Sequence, residues 1–129
     1  MTKSNKVTES VEVRKVIDDW LNAMSKKDLE GIYKPISPGY VQHLPGVAPI
    51  RGLEGFKGVM EGYLPQFGPT THIESAITVS DSGDLAYAIG KHDHVMFDKS
   101  GSTKLIDLHF IVLKKINGTW MIDGISEMS

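Results

Sequence analysis

The chain has 129 residues, a formal net charge of −2 and no cysteine, with 40% hydrophobic and 23% charged residues. This length and composition predict one globular domain over residues 1–129, with residues 1–7 as a frayed tail. The small net charge gives no reason to expect binding to nucleic acid or to an anionic membrane surface. Because cysteine is absent, disulfide bonds and thiol chemistry are excluded.

The N-terminal segment lacks the apolar run of a signal peptide, and no stretch is long and apolar enough to cross a bilayer. The sequence therefore predicts a cytoplasmic protein. It contains no phosphate loop, dinucleotide fingerprint or nucleophile elbow, so no cofactor is implied.

Three segments in the first half of the chain carry apolar residues at helical spacing. The first predicts an amphipathic helix over residues 8–25. The second is a short helix with Leu29, Ile32 and Tyr33, and the third covers residues 53–64 and ends at Pro65. Between the last two, residues 40–43 predict a short strand that runs into a loop with proline and glycine.

After residue 70 the apolar pattern repeats every two residues, which is typical of β-strands. The predicted strands are residues 71–79, 85–97, 104–116 and 119–125. The turns between them have hairpin chemistry, and Asn117-Gly118 is the strongest of these signals. Three helices followed by an antiparallel meander predict an α+β fold, in which a curved sheet packs on the helices and leaves a cavity between the two layers.

Several short motifs, in this order and at this spacing, resemble the nuclear-transport-factor-2-like superfamily, and within it the SnoaL-like and ketosteroid-isomerase-like domains. The resemblance covers nearly the whole chain. It rests on the helix with Trp20, Lys27-Asp28-Leu29, Ile50-Arg51-Gly52, Gly83-Asp84-Leu85-Ala86-Tyr87 with Gly90, and the segment from Leu113 to Trp120.

The resemblance implies a cone-shaped, cystatin-like fold with an internal pocket, and many members dimerise through the outer face of the sheet. Members include isomerases, dehydratases, epoxide hydrolases, polyketide cyclases and binding domains without catalysis, so the fold does not decide the function. Ketosteroid-isomerase-like members carry a carboxylate base at the end of the first short strand. His43 is expected at that position, as a base or an orienting donor.

Strand alternation places further histidines on shared faces of two consecutive strands. His92 and His94 share a face of one strand, and Asp107 and His109 share a face of the next. In the relatives, the positions of the three histidines tend to hold apolar residues that face the cone. The histidines and Asp107 could therefore converge in one cavity with His43.

Three interpretations of these histidines stay open. They can be solvated or satisfied by hydrogen bonds in the core; they can serve acid–base chemistry or polar ligand binding in a pocket; or His92, His94 and His109 can bind a transition metal.

The leading hypothesis is a pocket that binds a small organic molecule and catalyses proton transfer, as in isomerisation, dehydration or cyclisation. The predicted catalytic residues are His43, with Asp107 and His109 as a hydrogen-bonded pair. The predicted ligand-binding residues are His92, His94, Tyr40, Tyr63 and Trp20, of which the three aromatic residues are read first as core packing.

The rival hypothesis is a non-catalytic ligand-sensing or dimerisation module. Its working surface would be an apolar patch on the outer face of the sheet. Homodimerisation is expected under either hypothesis. The predicted patch consists of Tyr87, Ile89, Val95, Phe97, Phe110 and Val112.

Overall fold

The computed structural model describes residues 2–44, 46 and 48–128, with side chains except at residues 2–6, 67, 69–75, 92, 94, 98, 103, 105–107 and 128. The helices are α1 (Thr2–Lys26), α2 (Leu29–Tyr33) and α3 (Gly52–Tyr63), and a 3-10 turn (Leu64–Gln66) follows α3. The strands are β1 (Ile36–His43), β2 (Ile50–Arg51), β3 (Phe67–Val79), β4 (Leu85–Asp98), β5 (Gly101–Ile116) and β6 (Thr119–Met128).

The strands form one open, curved sheet in the order β2-β1-β6-β5-β4-β3. Strands β3 to β6 are the predicted antiparallel meander, and both residues of the Asn117-Gly118 turn have positive φ, as a type I′ hairpin turn requires. The α+β prediction is confirmed. One strand pair differs from the others in the sheet. Strand β1 runs parallel to β6, which the long connection between the two strands permits.

Helix α1 begins at Thr2, earlier than the predicted residue 8, so most of the expected tail is helical. No glycine or proline occurs between Thr2 and Lys26, so no helix-breaking residue separates the predicted helix from the segment before it. Among the described residues, no helix is both long and apolar enough to span a membrane.

The sheet has an inner face, which packs against the helices, and an outer face. Ala86 and Ala88 of β4 and Ile111 and Leu113 of β5 are buried on the inner face. The alternate positions of both strands point to the outer face. The helices contribute apolar residues to the same core: Val13, Ile17, Trp20, Leu21, Ile32, Phe56 and Met60.

A β-bulge at Asp123 shifts the pairing of β5 with β6 by one residue. Leu113 pairs with Ile122 but Val112 pairs with Gly124, so Asp123 is the extra residue. Ser37, which is fully buried in β1, donates a hydrogen bond from Oγ to Asp123 Oδ1 at 2.6 Å. This contact ties the bulge to the neighbouring strand.

Replacing Ser37 by alanine is expected to lower the free energy of unfolding by about 1–3 kcal/mol, because a buried hydrogen bond to a carboxylate is lost. Urea unfolding measures the loss. The matched control is Ser102→Ala, at an exposed position of β5, which is expected to change stability little. Equal stability of the Ser37 variant and wild type would contradict the role of this contact.

Glu9 connects α1 to the β5–β6 hairpin through two hydrogen bonds. Its Oε2 accepts hydrogen bonds from Lys115 Nζ at 2.6 Å and from Trp120 Nε1 at 3.1 Å. The hydrogen bond from Lys115 is the largest cause of the lowered pKa of Glu9. Stabilisation from a carboxylate with a lowered pKa is present above its unfolded-state pKa and is lost as the pH falls through the folded-state value.

The Glu9→Gln variant is therefore expected to be less stable than wild type at neutral pH, and to lose less stability than wild type when the pH falls from about 5 to 3. Urea unfolding across this range tests both statements. Asp18→Asn, an exposed change on the same helix, serves as the control. The same pH dependence in wild type and the Glu9 variant would show that the contact adds nothing.

Candidate functional site

Three polar side chains are buried among the described residues: Ser37, Gln42 and His109. Ser37 is paired with Asp123 at the bulge. Gln42 and His109 instead belong to strand positions on the inner face, between the sheet and the helices. They mark the polar part of an otherwise apolar interior.

Tyr40 and Gln42 lie two residues apart on β1, so both side chains point to the inner face. Tyr40 Oη donates a hydrogen bond to Gln42 Oε1 at 3.0 Å. The pKa of Tyr40 is raised far above its usual range, chiefly by burial and further by the nearby charge of Glu127. The phenol therefore stays protonated and acts as a hydrogen-bond donor at neutral pH.

Aromatic packing holds this part of β1 against the helices. The Phe56 ring of α3 contacts the Tyr40 ring edge-on, at 5.2 Å between centroids, and also lies 6.2 Å from the Trp20 ring. Trp20 Nε1 donates to the carbonyl oxygen of Ile32 at 3.1 Å. Because the indole N–H already donates to a backbone carbonyl, Trp20 contributes to the site by packing and not by donating a hydrogen bond to a ligand.

His109 of β5 is only 3% exposed and lies on the inner face. The bulge at Asp123 places Glu127 of β6 directly opposite it, and Gly90 of β4 is opposite it on the other side. Directly opposed residues of an antiparallel pair have Cβ atoms about 5 Å apart. The imidazole therefore has a carboxylate on one side and a position without a side chain on the other.

We call Tyr40, Gln42, His109 and Glu127 the inner polar group. It combines a protonated phenol, an amide, an imidazole and a carboxylate within an apolar interior. An imidazole beside a carboxylate can accept a proton and be stabilised as its cation, while the amide can donate hydrogen bonds to a developing negative charge.

The structure separates His43 from the inner polar group. His43 follows Gln42 on β1, so its side chain points to the other side of the strand and is exposed. The structure thus leaves His43 outside the inner polar group, and its role as a base stays a prediction. Pro45, in the loop that follows, lies outside the described residues.

Tyr63 also differs from its predicted place on the core side of α3. It is the last residue of the helix and its side chain is 45% exposed, whereas the next residue, Leu64, is buried. Tyr40 and Trp20 are buried, as the core-packing interpretation predicts.

The backbone register brings His92 and Asp107 opposite each other, two residues along from the pair of Gly90 and His109. His94 pairs with Leu105 at the next such step. The side chains of His92, His94 and Asp107 lie outside the described part of the structure, so their roles stay predictions. Among the described side chains, no group of three or more histidines or carboxylates could hold a metal ion.

Sequence reasoning missed two members of the inner polar group. Gln42 could have been found by counting alternate residues from Tyr40. Glu127 could not have been found in this way. The register set by the Asn117-Gly118 turn alone would place Ser126 opposite His109, and only the bulge places Glu127 there.

No protein-family model and no curated protein matches the sequence. Solved structures do match. A ketosteroid isomerase-like protein from Erwinia carotovora has a TM-score of 0.81 at 17% identity, over 94% of this chain and 97% of its own. The S. rosetta CaMKII hub has a TM-score of 0.77 at 16% identity, over 92% of this chain and 95% of its own.

A hexachlorocyclohexane dehydrochlorinase is also similar, with a TM-score of 0.78 at 15% identity, over 95% of this chain and 85% of its own. The chain thus has the fold of ketosteroid-isomerase-like and nuclear-transport-factor-2-like proteins, as the sequence predicts. Proteins with this fold include one named as an enzyme and one named as a hub, so function has to be argued from the site.

Proposed function

We propose that the protein binds a small, uncharged carbonyl compound on the inner face of the sheet and catalyses proton transfer next to the carbonyl group. His109 is the base. The observation that carries the proposal is an imidazole that is 3% exposed and lies directly opposite Glu127. A histidine buried to this depth opposite a carboxylate is a candidate functional group.

The three reactions considered from the sequence share one first step. Isomerisation of an unsaturated ketone, dehydration of a β-hydroxy ketone and aldol-type cyclisation each begin when a base removes a proton from the carbon beside a carbonyl group. The electron pair of the broken C–H bond moves to the carbonyl oxygen and forms an enolate. The site must therefore supply a base and a hydrogen-bond donor for that oxygen.

The inner polar group can supply both functions. His109 takes the proton, and the carboxylate of Glu127 stabilises the imidazolium that forms. Tyr40 and Gln42 lie across β6 from His109, at the end of the site where the oxygen would be held. The names of two proteins with this fold, an isomerase-like protein and a dehydrochlorinase, agree with proton-transfer chemistry.

Deuterium exchange tests this function without knowledge of the natural substrate. Cyclohexanone and diacetone alcohol are incubated with the protein in heavy water, and loss of the proton signals beside the carbonyl group is followed by NMR. We expect wild type to accelerate exchange in at least one of the two probes above the rate with an equal concentration of free imidazole. Rates equal to free imidazole for both probes would contradict the proposal.

A second candidate function is a non-catalytic module that acts through self-association. Its support is the outer face of β4 and β5, where Tyr87 and Phe110 stack with 5.3 Å between ring centroids while both remain exposed. Of the predicted patch, Val95 and Val112 are half-buried. The other exposed apolar residues on these strands are Leu85, Ile89, Phe97 and Leu108.

A contiguous apolar patch of this kind is uncommon on a protein that stays monomeric. We therefore include a homodimer through the outer face in the proposed function. One protein with this fold, from S. rosetta, is named as a CaMKII hub. The two candidate functions are separated by the exchange assay, because only the enzyme requires His109.

A further inference from the structure

We propose that two copies of the chain associate through the outer face of β4 in an antiparallel alignment, in which Lys91 of each copy pairs with Asp93 of the partner subunit. The inference rests on the homodimer included in the proposed function and adds how the two copies are aligned. It does not depend on His109 or on the proton-transfer reaction.

Alternate side chains of β4 form one row on the outer face, which we call the outer row. The pairing of β4 with β5 runs from Leu85 to Asp98 without a register shift, so these side chains keep to one face. Two charged residues lie in the middle of the outer row, and apolar residues lie on both sides of them. The members, in chain order, are Leu85, Tyr87, Ile89, Lys91, Asp93, Val95 and Phe97.

Asp93 has an unmet hydrogen-bond acceptor. Its Oδ1 atom is buried and has no hydrogen-bond partner among the residues that the structure describes. Lys91, its neighbour in the outer row, is exposed, and within the described part of the chain neither side chain forms an ion pair. A buried acceptor without a donor is energetically costly, so such groups are nearly always hydrogen-bonded. A lysine from a second copy would supply the missing donor.

The order of residue types in the outer row suits a second copy of the same chain. In a two-fold interface, a residue on one side of the axis faces the partner residue that lies equally far on the other side. When the axis passes between Lys91 and Asp93, each lysine faces an aspartate. The next two steps along the row place Ile89 opposite Val95 of the partner subunit and Tyr87 opposite Phe97 of the partner subunit.

The same two charges disfavour an alignment with parallel strands. With the axis along β4, Lys91 would face Lys91 of the partner subunit and Asp93 would face Asp93 of the partner subunit. Like charges that oppose each other in an interface are destabilising. In the antiparallel alignment, the packed sheets lie about 10 Å apart, a gap that an extended lysine and an aspartate span together. The charged pair therefore specifies the alignment, while the apolar residues on both sides supply the contact area.

Nuclear Overhauser contacts in a wild-type dimer test the alignment directly. One copy carries ¹³C and the other does not, so that only contacts between copies are recorded. Tyr87 and Phe97 are ten residues apart on β4, which corresponds to about 33 Å, so their rings can meet only between copies. We expect this contact. A dimer that lacks it would overturn the proposal.

Charge reversal gives a second test. Lys91→Asp and Asp93→Lys are each expected to dimerise roughly 10-fold more weakly than wild type, because like charges then face each other at both positions. An equimolar mixture restores opposite charges, and its dissociation constant is expected to return to within about 3-fold of wild type. Lys114→Asp makes the same charge change beside Leu85, at the end of the outer row, and is expected to leave the dimer intact.

Sedimentation velocity measures these dissociation constants, and thermal unfolding shows whether each variant is folded. Charge variants that dimerise like wild type, or weak dimers that do not recover in the mixture, would overturn the alignment and leave the homodimer in place. A wild type that stays monomeric would overturn the alignment and the homodimer together. If a variant does not fold, the wild-type contact between Tyr87 and Phe97 decides the question.

Discussion

The His109→Gln variant is expected to exchange deuterium into the probe ketones roughly 100-fold more slowly than wild type, or slower still, because a positioned base contributes about that much to proton abstraction. Glutamine has a similar size and keeps a polar side chain opposite Glu127, so packing changes little. It cannot accept a proton at neutral pH. The initial rate of signal loss by NMR gives the comparison directly.

His43→Gln is the matched control for this prediction. It makes the same chemical change at an exposed histidine on the other side of β1 from the inner polar group. We expect this variant to exchange at the wild-type rate. Equal loss in the two variants, or full activity in the His109 variant, would remove His109 from the mechanism.

The Phe110→Glu variant is expected to weaken the homodimer by at least about 30-fold, because an aromatic residue at the centre of an interface commonly contributes 2 kcal/mol or more. Phe110 is stacked on Tyr87 and 41% exposed on the outer face. A carboxylate at this position would have to be buried without a partner. Sedimentation velocity over a range of protein concentrations measures the dissociation constant.

Asn22→Glu introduces the same charge at an exposed position of α1 and is expected to leave the dimer intact. Thermal unfolding of both variants shows whether the fold is retained. A wild-type chain that stays monomeric at high concentration would contradict the outer face as an interface. An unchanged dimer in Phe110→Glu would place the interface elsewhere.

Local sequence patterns predicted most of the fold because each element carries its own signal. The helical spacing around Val13 and Phe56 and the turn at Asn117-Gly118 depend on residues close in sequence. The parallel pairing of β1 with β6 depends on contacts across most of the chain. Local patterns contain no information on such a pair.

The candidate site was less predictable because it depends on single-residue details of register. Tyr40 was placed correctly by its apolar context. His43 was placed on the inner side, although one step along a strand reverses the face. Glu127 reaches His109 only through the bulge at Asp123, which nothing in the local sequence indicates.

The central proposal is that a small uncharged ketone binds beside the inner polar group. The most direct measurement is an NMR titration of the histidine ring nitrogens and the glutamine side-chain amides of wild type with cyclohexanone. We predict that the signals of His109 and Gln42 shift together and saturate, while those of His43, on the exposed side of β1, stay fixed. Shifts confined to His43 or to other exposed residues, with His109 and Gln42 unchanged, would contradict the account.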